Sequence, residues 1–345
     1  MIKEMRNSGL DCFRILLTLF VCVIHVLGQG GILKSTSLLK CDIYWLINVF
    51  AYCAIDGYAL LSGYASNSTK LNLKRIINLW FEIIFYSLVL SIIINAIQNN
   101  VAFNVKELTK CCMPILFNKY WYMTAYFPLF FLTPIINKGI EKIQIKDAKY
   151  LLAILIIMFS FLGTIRDNYV SDGYHFLWLL VLFVIGALLK KLNLFEKTSS
   201  KKLLCYYLLS IIISWIPLLL FDNKILISYI SPTVLFACIC LLTFFSRLNC
   251  NNKIVNLLYP LTTGVYLFQN NEIIWNILAN RFIFVAEYSI FFGLISILFL
   301  SLFIFITGCV IDYIRIILYK ILKIDALSCF LSKKITVIFS KKIHF

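Results

Sequence analysis

Apolar runs, each close to the length that a spanning helix needs, recur along the whole chain, and short polar stretches separate them. About 20 mostly apolar residues at roughly 1.5 Å each cross a hydrocarbon core of about 30 Å. Reading by that length predicts ten spans, at 10–29, 43–64, 76–97, 120–136, 148–165, 176–189, 203–221, 225–245, 254–272 and 288–314. The fourth, sixth and ninth are the shortest or most polar of the set. No linker, repeat or low-complexity tract marks off a second domain. The expectation is an all-α polytopic membrane bundle of about ten transmembrane helices. One domain would occupy residues 1–314, and a basic cytoplasmic tail residues 315–345.

Composition supports this. Of 345 residues, 61% are apolar and 14% charged, and mean hydropathy is +0.91. A soluble domain carries about 25% charged residues, so a water-soluble enzyme and a disordered chain are both excluded. The net charge of +16, from 32 Lys+Arg against 16 Asp+Glu, does not indicate a nucleic-acid partner, because the cations sit between the apolar runs. With ten spans, 23 of the 32 fall on one side and 8 on the other, and Arg14 lies within a span. Positive charge is retained on the cytoplasmic face, so both termini are expected there, in the plasma or inner membrane. The basic start and the apolar run after it lack a small-residue cleavage site, so they read as a retained first span. The tail alternates short apolar runs with Lys pairs. It fits equally an amphipathic segment on the anionic leaflet and a disordered basic end.

The twelve cysteines are scattered and show no metal-ligand spacing. They read as small buried apolar residues, and no metal site is expected.

Chemistry concentrates in the first span. Asp11, Arg14, Thr18, Cys22 and His25 follow one another at steps of three or four, so they form one stripe on an otherwise Leu, Ile, Val and Phe helix. Arg14 and His25 lie about 20° apart around the axis and about 16 Å apart along it. Ionisable groups within a span usually face a wetted, protein-lined cavity. The competing readings are an interfacial i,i+3 ion pair for Asp11 and Arg14, which need not exclude function, and a buried structural imidazole for His25. Of the three histidines, however, His344 is in the tail and His175 beside an outer loop. His25 is therefore the best-placed group for acid–base work near neutral pH.

The series Arg6, Leu10-Asp11, Arg14 and His25 resembles the opening motif of the acyltransferase-3 family of integral-membrane acyltransferases. Three further segments resemble that family in order: Asp56-Gly57-Tyr58 through Ser62-Gly63-Tyr64, Trp121-Tyr122 with Tyr126 and Pro134, and Gly264-Val265-Tyr266-Leu267-Phe268. The resemblance covers residues 6 to about 310. The chain departs from it at Gln269, where many members carry a histidine, and at Asn72, where an Arg would complete a basic motif with Arg75.

The resemblance implies transfer of an acyl group, acetyl foremost, from cytoplasmic acyl-CoA to a hydroxyl of a cell-envelope polysaccharide or lipid-linked sugar. Acyl-CoA would be a substrate, with no permanently bound cofactor. Arg14, Lys74 and Arg75 would meet the CoA phosphates. His25 would act as general base or carry the acyl group, and Asp11 would hold Arg14. The acceptor would meet Asp56, Trp121, Tyr126, Gln269 and Glu272. For Asp56 the competing reading is a buried partner of an Arg or Tyr, and for the aromatics an interfacial belt. Glu82 and Asp312 read as interfacial.

A transporter or flippase for a lipid-linked sugar or small solute is the alternative, since many spans with buried charges fit that class. No paired broken-helix repeat supports it. A glycan polymerase would need a large cationic outer loop, which is missing. Oligomeric state, the particular sugar and the particular acyl group stay open.

Overall fold

The computed structural model describes residues 6–97, 105–167 and 169–342. Lys3 of the charge count and His344 lie outside the described residues. Every regular element among those described is helical. Six stretches are long and apolar enough to cross a membrane: Ser8–Ser35, Lys40–Ala65, Leu73–Ile93, Ile145–Ile165, Ser200–Phe221 and Ile290–Ile321.

The other four predicted spans differ for local reasons. Span 120–136 is split into α5 (Trp121–Tyr126) and α6 (Leu129–Lys142) at Phe127-Pro128, because Pro128 has no N–H to donate to the preceding turn. Span 176–189 is a helix of 17 residues, α8 (Phe176–Leu192), ended by Asn193 at φ +48°. Span 225–245 starts only at Pro232, giving the 15-residue α10 (Pro232–Ser246) with proline in the first turn. Span 254–272 becomes Lys253–Leu258, a 3-10 turn at Tyr259–Leu261 that contains Pro260, and α11 (Thr262–Gln269).

The rest of the frame is α1 (Ser8–Leu27), α2 (Leu38–Tyr52), α3 (Ala54–Ala65), α4 (Leu73–Ile97), α7 (Ile145–Leu155), α9 (Ser200–Phe221), α12 (Glu272–Leu278), α13 (Ile290–Ile321) and α14 (Ile324–Lys342). α13 runs straight through the expected boundary at residue 314. Arg315, counted with the tail, is inside the bundle, where its Nε donates to Asp312 Oδ1 at 2.6 Å.

α1 is central, packing on α2, α3, α10, α11 and α13. The Asn7 side chain caps its start by accepting from Leu10 N and ties it to the end of α10 by donating to Ser246 O. Its other end is held by backbone bonds from Asn280 N to Gln29 O and from Phe282 N to Gly30 O, both 2.9 Å. The most extensive helix pair is α3 with α8. Here Gly63 lies on the carbonyl of Phe183 and Gly186 on that of Leu60, with no room for a Cβ at either. Apolar attraction between helices is weak in lipid, so this backbone approach through small residues holds the pair.

Gly63→Ala should therefore cost about 1–3 kcal/mol or more through overpacking, read as a lower melting temperature of the purified protein in detergent. Gly139→Ala, in α6, places its methyl group in open space with no other atom within 4 Å, and should be neutral or stabilising. Equal melting of the two variants would refute the account of the α3–α8 contact.

Candidate active site

Because α1 is unbroken from Ser8 to Leu27, Arg14 and His25 do share a face, about 16 Å apart. They open into different cavities. Arg14 lines one of about 270 Å³ together with Tyr58, Arg75, Glu82, Tyr122, Tyr126 and Tyr266. A neighbouring space of about 150 Å³ shares Arg14, Ser62, Arg75, Tyr126 and Phe130 and reaches Lys70. This end is basic and rich in hydroxyls. Arg14 has no ion-pair partner among the described residues, so its guanidinium is available to an anion. The Tyr126 hydroxyl donates to Ser62 Oγ at 2.6 Å, and the Tyr58 and Thr18 oxygens are 2.6 Å apart. The hydroxyls of Tyr122 and Tyr266 are buried without a hydrogen-bond partner.

His25 lines a larger cavity of about 880 Å³, with Trp121, Tyr174, Tyr229, Glu272 and Trp275 in its wall. The imidazole stands edge-on to Trp275 at 4.7 Å between centroids. Its Nδ1 is 3.2 Å from Gln269 Oε1. An amide oxygen only accepts, so in this arrangement Nδ1 carries the hydrogen and Nε2 keeps a lone pair. That is the form a general base requires. Tyr266 lines both cavities, so one side chain separates the Arg14 chamber from the His25 chamber.

The expected site residues divide accordingly. Arg14, Arg75 and Tyr126 are at one end, and His25, Trp121 and Glu272 at the other. Four lie elsewhere. Asp11 pairs with Arg6, not with Arg14, and the Arg6 guanidinium also covers the Tyr259 ring at 3.7 Å. An i,i+3 pair lost here to a longer-range partner with an aromatic platform. Lys74 points away from the cavity and binds Asp325 of α14 at 2.7 Å. Its ammonium holds the Asp325 carboxyl below the usual carboxylate range. Asp56 is fully buried and accepts from Trp178 Nε1 at 2.9 Å, so it lines neither chamber. Gln269 is fully buried as well and meets the solvent of neither chamber, but its Oε1 touches the imidazole.

Trp275 lines the His25 chamber without any signal in the sequence, and Tyr58, Tyr122 and Tyr266, quoted above only within the family-like segments, prove to line the Arg14 chamber. A tyrosine in an apolar run reads as packing, and only the fold shows which hydroxyls converge. Glu82 and Asp312 are also not interfacial. They share Arg315, with Nη2 3.2 Å from Glu82 Oε1 and 3.0 Å from Asp312 Oδ2, and Tyr86 donates to Asp312 at 2.8 Å.

The acyltransferase domain model of the acyltransferase-3 family matches residues 7–314. This match spans nearly the whole chain, so the protein belongs to that family and is a membrane acyltransferase of this general kind. Neither the curated proteins nor the solved structures gave a match.

Removing the Gln269 amide strands the buried Nδ1–H. Gln269→Leu should lower kcat for acyl transfer about 10- to 100-fold without a comparable rise in the KM for the acyl donor. Gln269→His, which restores a ring-nitrogen acceptor, should recover much of the loss. Full activity of the leucine variant would show that the bond to His25 is only structural.

Proposed function

We propose that the protein takes an acyl group, acetyl foremost, from acyl-CoA and transfers it to a hydroxyl of a cell-envelope polysaccharide or lipid-linked sugar. The observation that carries this reading is the split stripe of α1. An unpaired guanidinium faces a basic chamber at one end, and an imidazole with a free Nε2 faces a larger, aromatic chamber at the other.

Both termini lie in the cytoplasm in this reading, and the chain crosses the plasma or inner membrane about ten times, using the split α5–α6 segment and the shorter α8, α10 and α11 as well as the six long helices. The Arg14 chamber then opens inward, where acyl-CoA is made. Arg14 and Arg75, with Lys70 nearby, bind its phosphates. Arg14 is the stronger anchor because a guanidinium takes two phosphate oxygens at once. The distance of about 16 Å along α1 leaves a flexible thioester arm to pass Tyr266 and present its carbonyl beside His25.

The acceptor hydroxyl enters from the outer chamber. Nε2 of His25 removes its proton as the oxygen attacks the thioester carbonyl. The tetrahedral centre collapses with cleavage of the C–S bond, and the thiolate takes the proton from the imidazolium. The products are the ester and free CoA, and His25 returns to its starting form. Trp121, with Trp275 beside the imidazole, offers flat apolar faces to a sugar ring, and Glu272 at the rim can accept from its hydroxyls.

His25→Ala and His25→Gln should each lower transfer of label from radioactive acetyl-CoA to membrane glycan by about 10²–10⁴-fold. Expression and melting temperature should be unchanged. Arg14→Ala should instead act mainly on the KM for the donor, with Arg14→Lys intermediate. Unimpaired acylation by His25→Ala would overturn the assignment. Label left on the protein when no acceptor is present, released by acid or hydroxylamine and missing from His25→Ala, would show that His25 carries the acyl group itself.

A further inference from the structure

The charges around the larger chamber carry information that transfer chemistry alone does not require. Three of the eight outer cations line this one space: Lys34, Lys110 and Lys119. Lys110 is engaged by Glu107 at 2.7 Å. Lys34 makes no ion pair among the described residues.

Lys119 is the most constrained of the three. Its side chain is 14% exposed, yet its nearest carboxylate oxygen, on Glu272, is 3.9 Å away, and that side chain is 71% exposed. Its ammonium otherwise donates to Cys111 Sγ at 3.5 Å, a weak acceptor. Glu272 is the only carboxylate in the chamber wall among the described residues. With Glu107 included, three ammonium groups face two carboxylates, which leaves one uncompensated positive charge.

The amides of Gln29, Asn118 and Asn270, the Glu272 carboxylate and the flat rings serve the hydroxyls and faces of any sugar; the cationic donors, in excess over the carboxylates, are what a neutral sugar would not need. A largely buried ammonium with a loose partner is costly unless something completes its hydrogen bonds. An incoming oxyanion does so, and a charge-assisted bond of this kind is stronger than one to a neutral hydroxyl.

We propose that the acceptor is an acidic sugar, carrying an oxyanion on the acylated ring or directly linked to it, and that Lys119 is the residue that binds this oxyanion. The inference rests on the acyl-transfer reading above. It narrows the acceptor class and leaves the role of His25 as stated. The oxyanion can come from the glycan itself, as a carboxylate or phosphodiester, or from the diphosphate of a lipid-linked sugar.

The test uses membranes containing the full-length protein, supplied with radioactive acetyl-CoA, with the His25→Ala membranes as background. His25-dependent label is extracted and passed over an anion exchanger before and after mild acid, which releases sugars from lipid diphosphates. Label retained both times identifies an anionic glycan. Label retained only before acid identifies the lipid diphosphate as the oxyanion. Both results support the proposal. Label in the neutral flow-through before acid overturns it while leaving the acyl-transfer reading intact. No His25-dependent label at all would remove the activity itself, and the proposal with it.

A second measurement addresses Lys119. Lys119→Ala should raise the KM for the membrane acceptor about 10- to 100-fold and lower kcat less. Lys119→Arg should keep most of the affinity, and added salt should weaken binding to the wild type more than to Lys119→Ala. Unchanged KM and salt response in Lys119→Ala would refute the assignment of the oxyanion to this residue.

Discussion

A polar or ionic side chain inside a bundle surrounded by hydrocarbon must find a partner or a wet space. The cost otherwise is about 2.5–3.5 kcal/mol for a charge at mid-span, even on the mildest scale. The structure uses both solutions, and the difference between them separates scaffold from site. Arg315 takes the first. It is 7% exposed and held by Asp312 and Glu82, while Tyr86 supplies a further donor to Asp312. Arg14 takes the second, with no ion pair among the described residues and a cavity before it. The two solutions meet at Glu82, which touches Arg315 and also lines the Arg14 chamber. The Asp312–Glu82–Arg315 cluster has one more carboxyl group than guanidinium, and Glu82 lies on the same wall as Arg14 and Arg75. The Arg14 end stays basic even so, and the cavity before the guanidinium is what makes an open cation tolerable there.

Close packing fixes where these groups stand. Gly264 of α11 sits against the Asp312 side chain, and Gly308 of α13 against Val265. A side chain at Gly264 would push the carboxylate off Arg315. The glycine thus links the sequence of α11 to the charge cluster, and α11 also carries Tyr266 and Gln269. The partition between the chambers and the partner of His25 are both set by the depth to which α11 seats on α13. Tyr266 and Gln269 lie three residues apart in α11, so one helix face presents both.

The class of fold and the stripe on α1 were legible in the sequence because both depend on local periodicity and composition. Hydropathy alone cannot resolve breaks such as Phe127-Pro128 or the turn around Pro260, since an apolar run stays apolar when its helix stops. The pairings of Asp11, Lys74 and Asp56 were not legible. For Asp11 the i,i+3 partner Arg14 lost to Arg6, seated over Tyr259, and for Lys74 and Asp56 the fold brought in Asp325 and Trp178, which no sequence spacing names. Arg315 shows the same limit from the other side, since a tail cation and a buried one look alike until the length of α13 is known.

Separating the two chambers has a chemical consequence. Acyl-CoA reacts with any activated nucleophile, water included, and a continuous wet channel past His25 would hydrolyse donor as fast as acceptor arrived. Tyr266 stands in the walls of both chambers, Tyr58 and Tyr122 line the Arg14 chamber with it, and the hydroxyls of Tyr122 and Tyr266 have no protein partner. In the proposed reaction these rings would keep bulk water from the passage. It still offers single hydrogen bonds to a thin polar chain, so a pantetheine-like arm can occupy it when a hydrated ion or free solvent does not. In the proposed reaction the donor would close the reaction space on the inner side, and an acceptor stacked in the aromatic chamber would close it on the outer side. The imidazole would then be exposed to solvent least when both substrates are bound, which is the moment at which its free Nε2 is needed.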